Sequence, residues 1–285
     1  MSDICIVYDR VRWEEKALQE KAISLGHTSR MVDAKTLAIS THDENTSYNF
    51  GDIVLQRCIS HYRGLYLTAC LEFLGSKVIN AYSTAEICGN KLLTSIYLSK
   101  YKIPTPKTHF AFGPEVAGDV ADKLGYPIVL KPIVGSWGRM VIPVRDKDVM
   151  GSMIEMREEM PNPLSKIYYI QDYINRPPRD IRTIVIDDRV VTAIYRYSAE
   201  GEWRTNIARG GKAELCPITK ELEDICAKAS KAVGSGVLGV DLMEDEKEGL
   251  VVHEVNNTVE FKGASTVSEK DIAAEIINYA SKMAV

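Results

Sequence analysis

The chain has 285 residues, 45% of them hydrophobic and 26% charged, with a formal net charge of −4. That length accommodates one large domain or two to three small ones, and the composition is that of a globular protein. The acidic balance argues against a general nucleic-acid or membrane-surface binder, and no apolar run approaches membrane-spanning length.

The six cysteines, Cys5, Cys58, Cys70, Cys88, Cys216 and Cys226, form no C-x-x-C pair. They read as reduced thiols of a cytosolic protein, not as a disulfide frame or zinc site. The N-terminal Met-Ser-Asp meets charge too early for a signal peptide.

Residues 4–8 read as a buried strand. Residues 12–25 read as a helix with Leu18, Ala22 and Leu25 on one face, stopped by Gly26. Strands at 53–56 and 78–80 and an apolar helix at 64–74 continue the alternation, which suggests a small parallel α/β domain. Ser83-Thr-Ala-Glu86 has the spacing of a capping box for a further helix.

The segment Ile103-Pro-Thr-Pro106 marks a boundary, after a helix that begins near Asn90-Lys91. Beyond it a helix at 114–124 and a strand at 128–131 lead into Gly135-Ser-Trp-Gly138-Arg139, with a return strand at 140–144. A helix at 146–160, a strand at 167–170 and a hairpin of 180–186 with 190–195 come next. Helices at 222–233 and 270–283 enclose a last hairpin at 237–256.

That last hairpin carries acids where strands should be apolar. Glu254 and Asn256 are two apart and share a face, and Asp241 on the partner strand can join them. Three hard oxygen donors suit Mg²⁺, whose shell phosphate oxygens complete. His253 should face away from Glu254 and reads as structural.

Lys131 ends a strand between Leu130 and Pro132, where an enclosed ammonium needs an anion. The adjacent Gly135-Ser136-x-Gly138 lets backbone N–H groups approach a phosphate. Arg182, Arg196 and Arg209 add planar forks suited to phosphate and carboxylate. Together with the acidic set they point to a polyphosphate site.

Two nucleotide motifs are false matches. Gly234-x-Gly236-x-x-Gly239 follows a helix and opens a strand, the reverse of the dinucleotide fingerprint. Gly211-Lys212 lacks the earlier Gly of a P-loop and has Ala213 in place of Ser or Thr. Ser136 has no base placed to make it a nucleophile.

In chain order stand Lys91, Lys131-Pro, Gly135-Ser-Trp-Gly-Arg139, Gln171-Asp-Tyr-Ile174, Arg179-Asp-Ile-Arg182, Arg196, Asn206-x-Ala-Arg209-Gly-Gly, Asp241 and Glu254-Val-Asn256-x-Thr-Val-Glu-Phe-Lys262. This set resembles the RimK-like ATP-grasp ligases, and within them the LysX/ArgX enzymes that act on the amino-group carrier protein LysW. The resemblance runs over nearly the whole chain, including the 57–65 segment Arg-Cys-Ile-Ser-His-Tyr-Arg-Gly-Leu.

The resemblance implies an α/β (α+β) ATP-grasp fold. Its parts would be a Rossmann-like pre-ATP-grasp domain at 1–88, a central lid part at 89–178 and a C-terminal part with the metal site at 179–285. Lys91 and Lys131 would contact phosphates of ATP. Gly135, Ser136, Trp137, Gly138, Arg139, Met140 and Val141 would form the loop over the triphosphate. Gln171, Asp172, Tyr173 and Ile174 would be the hinge against adenine. Asp241, Glu254 and Asn256, with Asn206, would serve the nucleotide and two Mg²⁺ ions. Arg182 and Arg209 would be catalytic, and Arg196, Asn206, Arg209, Thr258, Gly263 and Ala264 would face the substrates.

The implied reaction phosphorylates the side-chain carboxylate of the carrier's C-terminal glutamate and transfers the acyl group to a free amino acid. The partners are then an acidic carrier, LysW, and α-aminoadipate or glutamate, and the enzyme is a cytoplasmic homo-oligomer, tetramer or dimer. Arg57 and Arg63 are candidates for the basic patch that binds the carrier. In this family the aminoadipate enzymes carry Asn then Ser or Thr after the Glu-Phe-Lys, and the glutamate enzymes carry Gly then Phe. This chain has Gly263-Ala264, which leaves space for the longer substrate and implies a preference for α-aminoadipate. The alternatives are a glutamate–LysW ligase, a dual-specificity enzyme, a RimK-like glutamate ligase acting on another protein, and a nucleotide sensor without catalysis.

Overall fold

β1 (Asp3–Tyr8), β2 (Thr28–Asp33), β3 (Ile53–Gln56) and β4 (Val78–Ile79) form a parallel sheet in the order β2-β1-β3-β4. Crossover helices α1 (Trp13–Ser24) and α2 (His61–Phe73) connect its strands, as parallel pairing requires. The computed structural model describes residues 1–42, 48–198, 205 and 212–284.

Two short helices, α3 (Tyr82–Gly89) and α4 (Lys91–Lys100), lead to an antiparallel sheet in the order β5-β8-β6-β7. Its strands are β5 (Thr108–Ala111), β6 (Ile128–Lys131), β7 (Ile142–Val144) and β8 (Tyr168–Asp172). Helices α5 (Pro114–Leu124) and α6 (Lys147–Glu159) pack on it through Ala117, Ala121 and Met150.

The third sheet is antiparallel, in the order β11-β10-β9-β12-β13. It comprises β9 (Arg179–Ile186), β10 (Arg189–Tyr197), β11 (Lys212–Leu215), β12 (Val237–Asp245) and β13 (Gly249–Asn256). Helix α7 (Lys220–Val233) packs on one face with Leu98 of α4, against Val185, Leu238, Val240 and Leu242. After β13 come a single turn, α8 (Lys262–Ser265), and α9 (Ile272–Ala284).

The other face of this sheet is divided. At one end Ile184, Ile186 and Val237 join Ile4, Ile6, Leu18, Ile276 and Ile277 in a core shared with the first sheet. The rest of that face is charged. Alternation along β9 alone sets this division: Asp180, Arg182, Ile184 and Ile186 lie two apart on one side.

The strands at 28–33, 108–111 and 212–215 carry no clear alternation in the sequence. Each is the edge strand of its sheet, where only one neighbour supplies hydrogen bonds and burial is partial. Ser83 is not a helix cap. Helix α3 starts at Tyr82 after Ala81, and its first N–H is satisfied by Glu72 Oε1 from α2 at 2.7 Å. The return strand begins at Ile142 and not at Met140, which has φ 58°. Leu25 lies at the end of α1, 43% exposed, while Leu18 and Ala22 carry the buried face.

The first sheet is pinned to the third by one amide. Asn80 Nδ2 donates to the carbonyls of Val237 at 2.9 Å and Asn257 at 2.6 Å, and Asn80 Oδ1 accepts from Val237 N at 2.7 Å. A Cβ on Gly236 would stand 2.1 Å from Asn80 Oδ1, so only glycine permits the approach. Asn80→Ala should therefore lower unfolding free energy by about 2–3 kcal/mol, since buried backbone partners lose their bonds. Urea denaturation measures it; an unchanged midpoint would show that the amide is dispensable.

Candidate active site

The charged half of the third sheet gathers Asp180 and Arg182 from β9, Arg196 from β10, Asp241 from β12, and Glu254 and Asn256 from β13. Asp241 and Glu254 are directly opposed across the β12–β13 pair. Gly239 has no side chain because Val259 and Arg182 occupy its space: a Cβ there would lie 2.9 Å from Val259 Cγ2.

These charges are paired, as burial demands. Asp241 receives both Arg182 Nε and Arg182 Nη2, the latter at 2.7 Å, and Arg196 Nη2 at 3.0 Å. Arg196 also grips Asp180 through two bonds of 2.8 and 2.7 Å, and Thr205 Oγ1 donates to the same carboxylate. Burial alone would raise the Asp241 pKa, but Arg182 and Arg196 outweigh it and hold the carboxyl well below its ordinary range. Burial also opposes ionisation of Glu254, and Lys91, 3.0 Å away, again prevails and lowers its pKa.

Lys91 opens α4, behind the Asn90 side chain that caps the helix by accepting from Leu92 N and Leu93 N. Its Nζ donates to Glu254 and, at 2.8 Å, to the Gly135 carbonyl, tying the helix to the Gly-rich loop. Lys131 points across the second sheet to Gln171 Oε1 at 2.6 Å, and Gln171 is held in turn by Thr108 and Tyr169. Burial pushes the Lys131 ammonium down to about 8, more strongly than Glu254 pulls it up.

Two cavities, of ≈ 310 and ≈ 570 Å³, share Lys91, Gly135, Gly138, Arg196, Asp241 and Glu254. The smaller runs from Lys131 past Gln171, Asp172, Tyr173 and Ile174 and takes in Arg139 and Val141. The larger opens toward the first sheet and takes in Ser136, Trp137, Arg182, Asn256, Thr258, Gly263 and Ala264. The loop therefore serves both, with Gly135 (φ 159°), Trp137 (φ 57°) and Gly138 (φ 64°) turning it back and forth. Met140 lines neither cavity and is 38% exposed. Asn206 and Arg209 lie outside the described residues.

His253 overturns the strand-alternation reading. Asp241 pairs with Glu254 but Leu242 pairs with Val252, so His253 is the extra residue of a β-bulge. Val252 and Val255, three apart, both reach the core beneath α7. His253 and Glu254 consequently both line the smaller cavity. Both ring nitrogens of His253 are buried without a partner among the described residues. Burial, with Lys131 adding to it, lowers the His253 pKa to about 4, so the ring is neutral.

Arg57 also departs from its expected role. It is buried, donates to Glu15 Oε1 at 3.2 Å and Val259 O at 3.0 Å, and is closed to a docking protein. Arg12, which sequence reasoning passed over, bonds Glu15 at 2.7 Å and Glu260 at 3.1 Å and lines the larger cavity. Glu14 accepts from Lys262 N at 3.1 Å beside it. A charged Arg-x-Glu-Glu at the N-cap and first turn of α1 was the signal for this cluster, and such first turns are usually solvated.

No group of three or more His, Cys, Asp or Glu side chains suited to a metal forms among the described residues. The donor set is instead two ionised carboxylates and an amide, which fits a hard cation that keeps part of its shell for phosphate and water. Asn256 Nδ2 is buried and has no partner among the described residues. The ammonium and guanidinium groups already on Glu254 and Asp241 show that the position accepts positive charge.

A parallel sheet followed by two antiparallel sheets, with Lys131 from the second sheet, Lys91 from α4 and carboxylates from the third sheet facing a common cleft, defines an ATP-grasp architecture. The chain matches the LysX preATP-grasp domain over residues 4–87 and the RimK-like ATP-grasp domain over 88–280. It is 39% identical over 95% of both chains to the alpha-aminoadipate–LysW ligase LysX of Sulfurisphaera tokodaii. It is 34% identical over 97% of both chains to the glutamate–LysW ligase ArgX of Sulfolobus acidocaldarius. The crystal structure of a RimK-domain ATP-grasp protein from Sphaerobacter thermophilus superposes with a TM-score of 0.79 at 23% identity, covering 98% of this chain and 99% of that one. The protein belongs to the LysX/ArgX family of RimK-like ATP-grasp ligases, a class that uses ATP and Mg²⁺.

The buried Lys131 gives a stability test. Its folded pKa of about 8 lies below the ordinary 10.5. Folding is therefore penalised in full below pH 8, and the penalty is relieved as pH rises from 8 to 10.5. Lys131→Met should be more stable than wild type at pH 7, with the difference narrowing toward pH 10. A variant less stable at pH 7 would show that the Gln171 contact outweighs the burial of the charge.

Proposed function

We propose that the protein is an ATP-dependent carboxylate–amine ligase that joins the α-amino group of α-aminoadipate to the side-chain carboxylate of the C-terminal glutamate of an acidic LysW-type carrier. The observation that carries the reading is the meeting of two cavities at Lys91, Asp241 and Glu254. A nucleotide in the smaller one presents its phosphates where an acceptor carboxylate in the larger one must lie.

In this reading Lys131, His253 and residues 171–174 enclose the nucleotide base and phosphates. Lys91 and the Gly135–Gly138 backbone hold the phosphate end. Asp241, Glu254 and Asn256 would hold two Mg²⁺ ions, which would offset the charge of the transferring phosphoryl group. Arg182 and Arg196 are released from Asp241 to meet substrate oxygens, with Arg209 and Asn206 expected beside them. The acyl phosphate forms at this junction, and the loop over it excludes water. The domain division at 88 and 178, a cytoplasmic location and a homo-oligomer, tetramer or dimer, belong to the same proposal. Among the described residues no helix is long and apolar enough to cross a membrane.

Glu254→Gln should lower kcat by about 10²-fold while leaving the fold intact, because a preorganised charge is lost. Near-normal ligase activity in the folded variant would remove Glu254 from the chemistry.

Amino-acid choice is assigned to the segment after Phe261. Gly263 and Ala264 line the larger cavity, and Ala264 is buried against the core. One methylene separates aminoadipate from glutamate, worth about 1–3 kcal/mol in a fitted pocket. The wild type should show the higher kcat/KM with aminoadipate, and Ala264→Phe should shift the ratio toward glutamate. A ratio unmoved by Ala264→Phe would place specificity elsewhere; a wild type preferring glutamate would favour the glutamate–LysW activity.

A further inference from the structure

His61 opens α2 and lines the larger cavity together with Lys91, Asp241 and Glu254. Its ring is wedged in place. A Cβ on Gly89 would stand 1.9 Å from His61 Cε1, so the ring fits only because residue 89 is glycine. The Tyr62 ring lies 4.8 Å away, centroid to centroid. The His61 side chain makes no hydrogen bond among the described residues.

Three charged groups that line this cavity with it are already engaged. Lys91 is on Glu254 and the Gly135 carbonyl, Glu14 is on Lys262 N, and Arg12 is on Glu15 and Glu260. The charged group that faces His61 from a neighbouring element is Lys91 on α4. On its own helix, Arg63 is turned onto Asp9 at 2.8 Å. The nearby Cys58 and Cys88 thiols are raised by burial and stay neutral. Burial, and after it Lys91, disfavours the imidazolium, so His61 stands as a neutral base in the cavity.

We propose that His61 is the general base that accepts the proton of the incoming α-ammonium. The proposal rests on the ligase reading above. An amino acid arrives protonated and its nitrogen has no lone pair to use. Transfer of one proton to an imidazole nitrogen frees that pair. The N–C bond then forms at the acyl carbon, and the C–O bond to phosphate breaks, its electrons leaving with inorganic phosphate. The nitrogen's second proton goes to the departing phosphate. Lys91 disfavours the imidazolium, which returns its proton to water.

The experiment compares two nucleophiles with ATP, Mg²⁺ and purified carrier, in wild type, His61→Asn and Gly89→Ala. One is α-aminoadipate, protonated at pH 7; the other is hydroxylamine, neutral at pH 7 and in no need of a base. Aminoadipate ligation at pH 7 should fall about 10²-fold in His61→Asn and recover as pH rises toward the amine's own pKa. Hydroxamate formation should stay at the wild-type rate, which also certifies the fold and the acyl-phosphate step. Gly89→Ala should reproduce the pattern, because its Cβ displaces the ring. Equal loss with both nucleophiles would make His61 a structural residue, and an unchanged pH profile for aminoadipate would remove it from the reaction. Either result overturns the proposal. A wild type that releases no ADP with carrier overturns the ligase reading itself, and this proposal with it.

Discussion

Asp241 is 2% exposed, and the arrangement around it follows from keeping it ionised there. An isolated carboxylate in that position would take up a proton, so two guanidiniums from adjacent strands close on it. Arg196 is shared with Asp180, which fixes β10 to β9, and Lys91 closes the set through Glu254. Arg182 and Arg196 on the same sheet, with Lys91 from α4 and Lys131 from β6, thus offset Asp180, Asp241 and Glu254 in the cleft. The cluster is nearly charge-balanced before any ligand arrives. A triphosphate with its cations can enter by exchange of partners, without the cost of exposing bare charges to a dry interior.

The same constraint explains why the first sheet belongs to the active site. The segment carrying Val259, Glu260 and Lys262 has little structure of its own beyond the single turn that follows it. It is held by Arg57, Arg12 and Glu14, all from the first sheet's loops and α1. Asn80 anchors the start of β12 and the Asn257 carbonyl from the same side. The wall that contains Gly263 and Ala264 is therefore positioned by one part of the chain and aimed at chemistry carried by another. Under the proposed function, substrate choice and phosphoryl chemistry would be physically separate, in keeping with relatives that are named for different amino acids.

The sequence by itself determined the class of protein and most of the elements. Periodicity located α1, α5, α6, α7 and α9, and the acids interrupting the last hairpin located Asp241 and Glu254, because isolated charges inside β-branched runs need a reason. The ordered motifs from Lys91 to Lys262 carried the family. What the tertiary structure decided was orientation and partnership. A one-residue bulge turned His253 into the cavity, and no local pattern marks a bulge without glycine. Arg57 looked like a surface cation, but Glu15, 42 residues away, buried it. His61 lay ahead of the helix read at 64–74, and only the fold starts α2 there and brings Gly89 and Lys91 against it. Edge strands and the start of α3 were set by neighbours distant in sequence. Local propensity and spacing are short-range properties, whereas burial, pairing and the pKa shifts they cause depend on which distant groups share a cleft.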